Sequence, residues 1–102
     1  MEKDIVSMFK QRVLEILNSK KIKFILFGSR GRGDAEEFSD YDILIITSEQ
    51  EYNVKDKIEE IEMDMFITHN AIINSHIFSE QELKNLSFEP FIINALQEGV
   101  AA

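Results

Sequence analysis

Residues Ile22–Thr47 read IKFILFGSRGRGDAEEFSDYDILIIT, and this stretch decides the fold. Its opening run, IKFILF, has the length and the β-branched and aromatic content of a buried strand, and it ends where Gly28 begins a glycine-rich turn. A second apolar run, Asp40–Thr47, is predicted as the next strand. Because side chains alternate along a strand, Asp40 and Asp42 are expected on one face, where two carboxylates attract cations.

The overall composition limits the classes of protein that this chain can belong to. Its 102 residues are expected to form one domain, residues 1–102, and 44% hydrophobic with 29% charged residues is typical of a globular fold. The sequence has no cysteine for a disulfide or a Cys-based zinc site, and we do not expect Met1-Glu2-Lys3-Asp4 to open a signal peptide. No apolar run approaches the roughly 20 residues of a membrane span, so we expect a cytoplasmic protein. The net charge of −8 argues against general binding to nucleic acid.

Apolar spacing outside the central stretch predicts helices packed on a small sheet of mixed strand direction, an α/β (α+β) fold. The helices are predicted at about Asp4–Asn18, Val54–Ile61, Ser79–Leu86 and Pro90–Gly99. The segment between His69 and Phe78 is predicted as one bulged edge strand or as two short strands around Asn74-Ser75.

A third acidic residue is predicted to join the aspartate pair. Met63–Thr68 is predicted as a third strand in which Asp64 interrupts an apolar run. The backbone amides and hydroxyl of Gly28-Ser29 suit an anion such as phosphate. Together with Asp40, Asp42 and Asp64, this turn predicts a site in which backbone amides hold a triphosphate and the carboxylates hold two divalent metal ions.

The pattern of Gly28-Ser29, ten intervening residues and Asp40-Tyr41-Asp42 resembles the signature of the DNA polymerase beta-like nucleotidyltransferases. Within that superfamily the chain is similar to the small minimal nucleotidyltransferases. The resemblance implies a nucleotidyltransferase-like fold and transfer of a nucleoside monophosphate, with ATP as the expected donor, to an acceptor hydroxyl.

The same resemblance implies roles for six residues. It implies that two Mg²⁺ ions are bound by Asp40, Asp42 and Asp64. It implies that the phosphates are held by Gly28, Ser29 and Arg32. The role implied for Asp64 depends on the predicted strand over Met63–Thr68. Asp64 could also take the proton of the acceptor hydroxyl.

The resemblance further implies a protein partner. Small bacterial members commonly act as antitoxins that adenylylate a helical HEPN-type toxin. Two functions from different classes therefore stay open: a Mg²⁺-dependent nucleotidyltransferase, and a non-catalytic antitoxin-like module that neutralises a helical partner by contact. Because no stretch plainly builds a pocket for the base, we expect weak and unselective Mg-ATP binding until a partner or a second copy of the chain completes the site.

Overall fold

The computed structural model describes residues 4–33 and 39–102, so residues 34–38 of the predicted glycine-rich turn lie outside the described part. The described chain contains four strands and five helices. In chain order they are α1 Ile5–Leu14, β1 Ile22–Phe27, α2 Gly28–Arg32, β2 Tyr41–Thr47, α3 Lys55–His69, β3 Ile73–Ser79, α4 Glu80–Asn85, α5 Pro90–Glu98 and β4 Val100–Ala101. None of the helices in these two ranges is long and apolar enough to cross a bilayer.

The strands form one sheet in the order β3-β2-β1-β4. β1 runs antiparallel to β2 and to β4, whereas β2 and β3 run parallel. This arrangement confirms the predicted small sheet of mixed strand direction. The register places Phe27, the last residue of β1, opposite Asp42, and it places Asn74 of β3 beside Asp42 on the other side. The start of β2 therefore lies between the end of β1 and the start of β3.

Helices cover both faces of the sheet. α1 and α3 pack on one face, with Phe9 and Met65 among the buried side chains of that core. α5 packs on the opposite face, where Leu44 and Ala95 are both fully buried. Because Asp42 and Leu44 are two residues apart on one strand, the Asp42 side chain lies on the α5 face of the sheet.

Most predicted elements are confirmed, with shifts at the helix ends. Asp4 caps α1 by accepting a hydrogen bond from the Val6 amide at 3.0 Å, but the helix ends at Leu14 rather than near Asn18. The capping box at the start of α4 is present, because the Ser79 and Glu82 side chains each accept from the other's backbone amide. β3 is one continuous strand, which decides between the two predicted alternatives. The short strand β4 was not predicted.

The prediction of a strand over Met63–Thr68 is wrong, because this segment is the second half of α3. The helix predicted over Val54–Ile61 continues through it without a break. The physical reason is a stripe of buried side chains that continues at helical spacing into the segment and consists of Ile58, Ile61 and Met65. The helix ends where Asn70 adopts the left-handed conformation, with φ +53°.

The turn after β1 depends on the glycine at its start. Gly28 has a φ of +68°, and Gly33, which ends α2, has a φ of +82°. A Cβ atom added at Gly28 would lie 2.3 Å from Oδ2 of Asp42, whereas a Cβ added at Gly33 would meet no atom of the described residues within 4 Å beyond its own chain neighbours. Only a glycine at position 28 lets the backbone approach the Asp42 carboxylate this closely.

β3 is an edge strand, and Glu62 of α3 covers part of its open edge. Oε2 of Glu62 accepts hydrogen bonds from the backbone amide and the hydroxyl of Ser75, each at 3.1 Å. Burial raises the pKa of Glu62 above its ordinary value; the Ser75 hydrogen bonds oppose that rise and the nearby Glu59 carboxylate adds to it. The contact fixes β3 against α3 one residue beyond Asn74.

We expect the raised pKa of Glu62 to give a pH-dependent contribution to stability. The folded chain binds the Glu62 proton more tightly than the unfolded chain, so ionisation of this group disfavours folding. The free energy of unfolding of the wild type, relative to Glu62→Gln, should be highest below the unfolded pKa and should fall as the pH rises through the folded pKa. Urea unfolding of both proteins at about pH 4 and pH 7 measures this difference.

The exposed Glu60 on the same helix provides the matched control, since Glu60→Gln removes the same charge without touching β3. A wild type whose stability relative to Glu62→Gln rises with pH would contradict the sign of the pKa shift.

We expect Gly28→Ala to destabilise the chain more than Gly33→Ala does. Both substitutions force alanine into the left-handed region, which costs about 1–2 kcal/mol. Only the Cβ at position 28 also collides with the Asp42 carboxylate, so that side chain has to turn away from the glycine turn, which adds to the loss. Urea unfolding of the two variants measures the difference, and equal losses would show that the close contact at Gly28 is absent in solution.

Candidate functional site

The structure brings the aspartate pair and the glycine turn together at one end of the sheet. Asp42 is the second residue of β2, Asp40 immediately precedes the strand, and both are partly buried. Asp42 packs against the Gly28 backbone, because its Oδ2 atom lies only 2.3 Å from the position that a Cβ would take at Gly28. The two predicted carboxylates therefore lie at the start of β2, beside the turn that follows β1.

Asn74, which the sequence did not single out, completes this group. Its Nδ2 donates a hydrogen bond to Oδ2 of Asp40 at 2.9 Å. It is also the parallel neighbour of Asp42, and side chains of paired residues share a face, so Asn74 lies on the same face of the sheet as Asp42. One amide thus stands beside both carboxylates.

Ser29 and Arg32 lie on α2, the short helix that begins at Gly28. The amides of Gly28 and Ser29 are in the first turn, where backbone N–H groups have no acceptor within the helix. Nη1 of Arg32 donates to Oε2 of Glu98 on α5 at 3.0 Å, and both side chains are more than a third exposed. An ion pair this exposed contributes about 0–1 kcal/mol, so loss of the Glu98 contact when Arg32 binds a phosphate would cost little.

An apolar floor lies next to the carboxylates on the α5 face. Phe91 of α5 makes edge-on contacts with Phe27 and with His76, with ring centroids 5.4 Å and 4.8 Å apart. His76 follows Asn74 by two residues on β3 and so lies on the same face of the sheet. Phe91 is 41% exposed, which leaves aromatic surface open on the face of the sheet that carries the Asp42 side chain.

Arg30 has a structural role on the other face of the sheet. Its guanidinium carbon lies 3.8 Å from the centroid of the Tyr41 ring, and its Nε donates to the backbone carbonyl of Ser39 at 2.9 Å. These contacts fix the segment that leads into Asp40. A cavity of about 280 Å³ borders Arg30 and Tyr41, but Tyr41 alternates with Asp42, so this cavity opens away from the carboxylate pair.

Asp64 does not join the other two predicted carboxylates. It lies on α3, which packs on the face of the sheet opposite to Asp42, and it forms an ion pair with Arg12 of α1. The expectation that Asp64 is the third carboxylate rested on a strand, and the helical stripe of α3 removes that basis. In residues 4–33 and 39–102, no group of three or more His, Cys, Asp or Glu side chains is placed to hold a metal ion.

A signal in the sequence could have pointed to Asn74. A strand, a crossover helix and a parallel strand form a right-handed unit in almost all proteins, and such a unit sets the starts of its two strands side by side. Had α3 been recognised as the crossover helix, the first residues of the following strand would have been candidates for the site.

Comparisons with known proteins show the family and the fold of this chain. A family model described as a nucleotidyltransferase domain matches residues 6–98. A curated protein of Methanocaldococcus jannaschii, named "Putative protein adenylyltransferase MJ0141", is 35% identical over 78 residues, which cover 76% of this chain and 79% of that protein. A solved structure titled "Crystal structure of the toxin-antitoxin with AMP-PNP" has the same fold, with a TM-score of 0.61 at 16% identity over 97% of this chain and 72% of that chain.

The family match spans nearly the whole chain and includes the glycine turn, both aspartates of the pair and Asn74. The sheet of mixed direction with helices on both faces is the corresponding fold. On this evidence the chain belongs to the nucleotidyltransferase domain family.

Proposed function

We propose that this nucleotidyltransferase transfers AMP from ATP to a hydroxyl group of a protein partner. The observation that carries the proposal is the convergence of Asp40, Asp42 and the Gly28-Ser29 turn at one end of the sheet. In the reaction, the acceptor oxygen forms a bond to the α-phosphorus of ATP, the bond from that phosphorus to the leaving pyrophosphate breaks, and the hydroxyl proton passes to solvent or to a carboxylate of the pair.

Each residue of the site has a task that its position supports. The amides of Gly28 and Ser29 and the Ser29 hydroxyl bind phosphate oxygens, and Arg32 adds a positive charge when a phosphate replaces Glu98. The apolar floor of Phe91, Phe27 and His76 gives the base of the nucleotide a surface for stacking, and stacking on such rings tolerates every base. This supports weak base discrimination by the isolated chain.

The residues fit a divalent cation. Asp40 and Asp42 offer carboxylate oxygens, the ligands that Mg²⁺ prefers, and the sequence has no cysteine whose thiolate would favour a softer metal. Mg²⁺ held by these two carboxylates and the triphosphate would offset negative charge on the phosphates and on the leaving pyrophosphate. The proposal of two ions has weaker support, because Asp64 lies elsewhere.

A protein acceptor is supported by the names of similar proteins. The Methanocaldococcus jannaschii relative is named for protein adenylylation, and the structural match is titled a toxin-antitoxin. We propose the same class of partner here, a helical toxin of the HEPN type, as the family resemblance implies. The absence of cysteine suits the reducing cytoplasm in which such a pair would act.

A second candidate function, inhibition of the partner by contact without turnover, is favoured by one surface feature. Met63, Phe66 and Ile67 form an exposed apolar stripe at helical spacing on α3, and their exposed fractions are 59%, 47% and 72%. The stripe belongs to the helix on the face of the sheet opposite to Asp42. A partner bound there would not need the carboxylate pair.

We expect Asp42→Asn to abolish transfer and Asp64→Asn to leave it intact. The chain is incubated with Mg²⁺, ATP labelled at the α-phosphate, and a cell extract as the source of acceptor protein, and the label on protein is counted. Loss of the Asp42 carboxylate should lower the rate by roughly 100-fold or more, because it removes a charged group from the reacting centre. Asp64→Asn removes the same charge from the opposite face of the sheet and should change stability by only about 0–1 kcal/mol.

Thermal melting of the same samples separates lost activity from lost fold. A folded Asp42→Asn protein with the wild-type rate would refute the proposed site, and so would an Asp64→Asn protein that is folded but inactive. An inactive wild type that still binds a protein partner equally well after Asp42→Asn would favour inhibition by contact.

A further inference from the structure

We infer that Asn74 occupies the third position of the metal site and makes it a site of two carboxylates and one amide, so that the divalent cation binds together with the nucleotide and not before it. This inference rests on the proposed function, because it concerns the cation that the nucleotide needs.

The register of the sheet places Asn74 in this position. It is the parallel neighbour of Asp42, and adjacent strands lie about 4.8 Å apart, so the two side chains leave the same face next to each other. The Nδ2 group of Asn74 donates to Asp40 at 2.9 Å. Asn74 thus neighbours Asp42 and binds Asp40, which is the position expected for a third ligand of a cation held by these two carboxylates.

An amide at this position has two physical consequences. Its N–H stabilises the Asp40 carboxylate and offsets the mutual repulsion of Asp40 and Asp42 while no cation is bound. Its side-chain oxygen is of the kind that Mg²⁺ and Ca²⁺ accept, but it carries no charge. The described site therefore presents two negative charges to a cation instead of three.

The charge of the site decides when the cation binds. A divalent ion loses part of its hydration on binding, and each nearby carboxylate compensates that loss by Coulomb attraction. With two carboxylates in the described part of the site, the triphosphate supplies further negative charge to the cation. The cation should therefore bind the protein more tightly in the presence of ATP than in its absence.

The purely structural alternative is that Asn74 only closes a polar contact at the edge of the sheet. Under that alternative, an aspartate at position 74 would repel Asp40 and would have no effect on cation binding beyond that of any added negative charge. Under our inference, the same aspartate completes a set of three carboxylates.

The test measures binding of Mn²⁺, a paramagnetic substitute for Mg²⁺, to the wild type, Asn74→Asp and a control, with and without AMP-PNP. The control is Asn85→Asp, which adds the same charge at the last residue of α4, beyond the opposite end of β3. Asn85 accepts a hydrogen bond from Gln81, and an aspartate there accepts it equally well. Free and bound Mn²⁺ are distinguished by electron paramagnetic resonance.

We expect Asn74→Asp to bind Mn²⁺ without nucleotide at least about tenfold more tightly than the wild type, because a third carboxylate beside Asp40 and Asp42 strengthens Coulomb attraction. Asn85→Asp should bind like the wild type. Without metal, Asn74→Asp should melt below the wild type, since it loses the donor to Asp40 and adds repulsion, and added Mn²⁺ should raise its melting temperature more than that of the wild type.

The outcomes separate this inference from the proposed function. If the wild type binds Mn²⁺ more tightly with AMP-PNP than without it, and Asn74→Asp gains nothing without AMP-PNP, the assignment of Asn74 is wrong and the proposed function stands. Tight nucleotide-free binding by the wild type also overturns the assignment. If no variant binds Mn²⁺ with or without AMP-PNP, the proposed metal and nucleotide site itself is refuted, and the assignment of Asn74 with it.

Discussion

The contact between the Gly28 backbone and the Asp42 carboxylate is the constraint on which the rest of the site depends. Gly28 is in the left-handed region and leaves no room for a Cβ against Oδ2 of Asp42. The chain can therefore leave β1, turn directly into α2 and still set a carboxylate of β2 against that turn. A glycine that is required by sterics places the amides of the turn next to a group that binds cations.

The sheet determines what else reaches this point. Because β1 and β3 flank β2, the start of β2 has the glycine turn on one side and Asn74 on the other. α1 and α3 close the opposite face, with Asp64 paired to Arg12 between them, and α5 brings the exposed ring of Phe91 to the face of the carboxylates. The exposed apolar stripe of α3 and the candidate site thus belong to opposite sides of the sheet.

The strength of the local signals decided how much could be predicted from sequence. A polar link and a glycine bound β1, so its first and last residues were predicted correctly. The helix caps at Asp4 and Ser79 were also predicted, because each of these side chains has an oxygen that can accept from a free amide of the first helical turn. The segment MDMFIT was predicted as a strand because it is a short apolar run that only Asp64 interrupts, yet its Met65 continues the buried stripe of a helix that had already begun. Burial at helical spacing outweighed the short apolar run there, and the predicted position of Asp64 was wrong for the same reason.

Asn74 could not be found by the same means, because its importance lies in a register between strands separated by a whole helix. Such a pairing is set by the packing of α3 on the sheet and leaves no mark in the local sequence. The aspartate pair was accessible because both carboxylates and the turn that they meet lie within one short stretch of chain.

The central claim is that the Gly28 turn, the aspartate pair and Asn74 form one site for a nucleotide and its cation. Backbone amide NMR of the nitrogen-labelled chain, titrated with Mn²⁺ in the presence of AMP-PNP, tests it because a bound paramagnetic ion broadens the signals of nearby amides. We expect early broadening at Gly28, Ser29, Asp42 and Asn74, with Asp64 on α3 affected late and weakly. Broadening centred on the acidic residues of α3, or spread evenly over the chain, would contradict it.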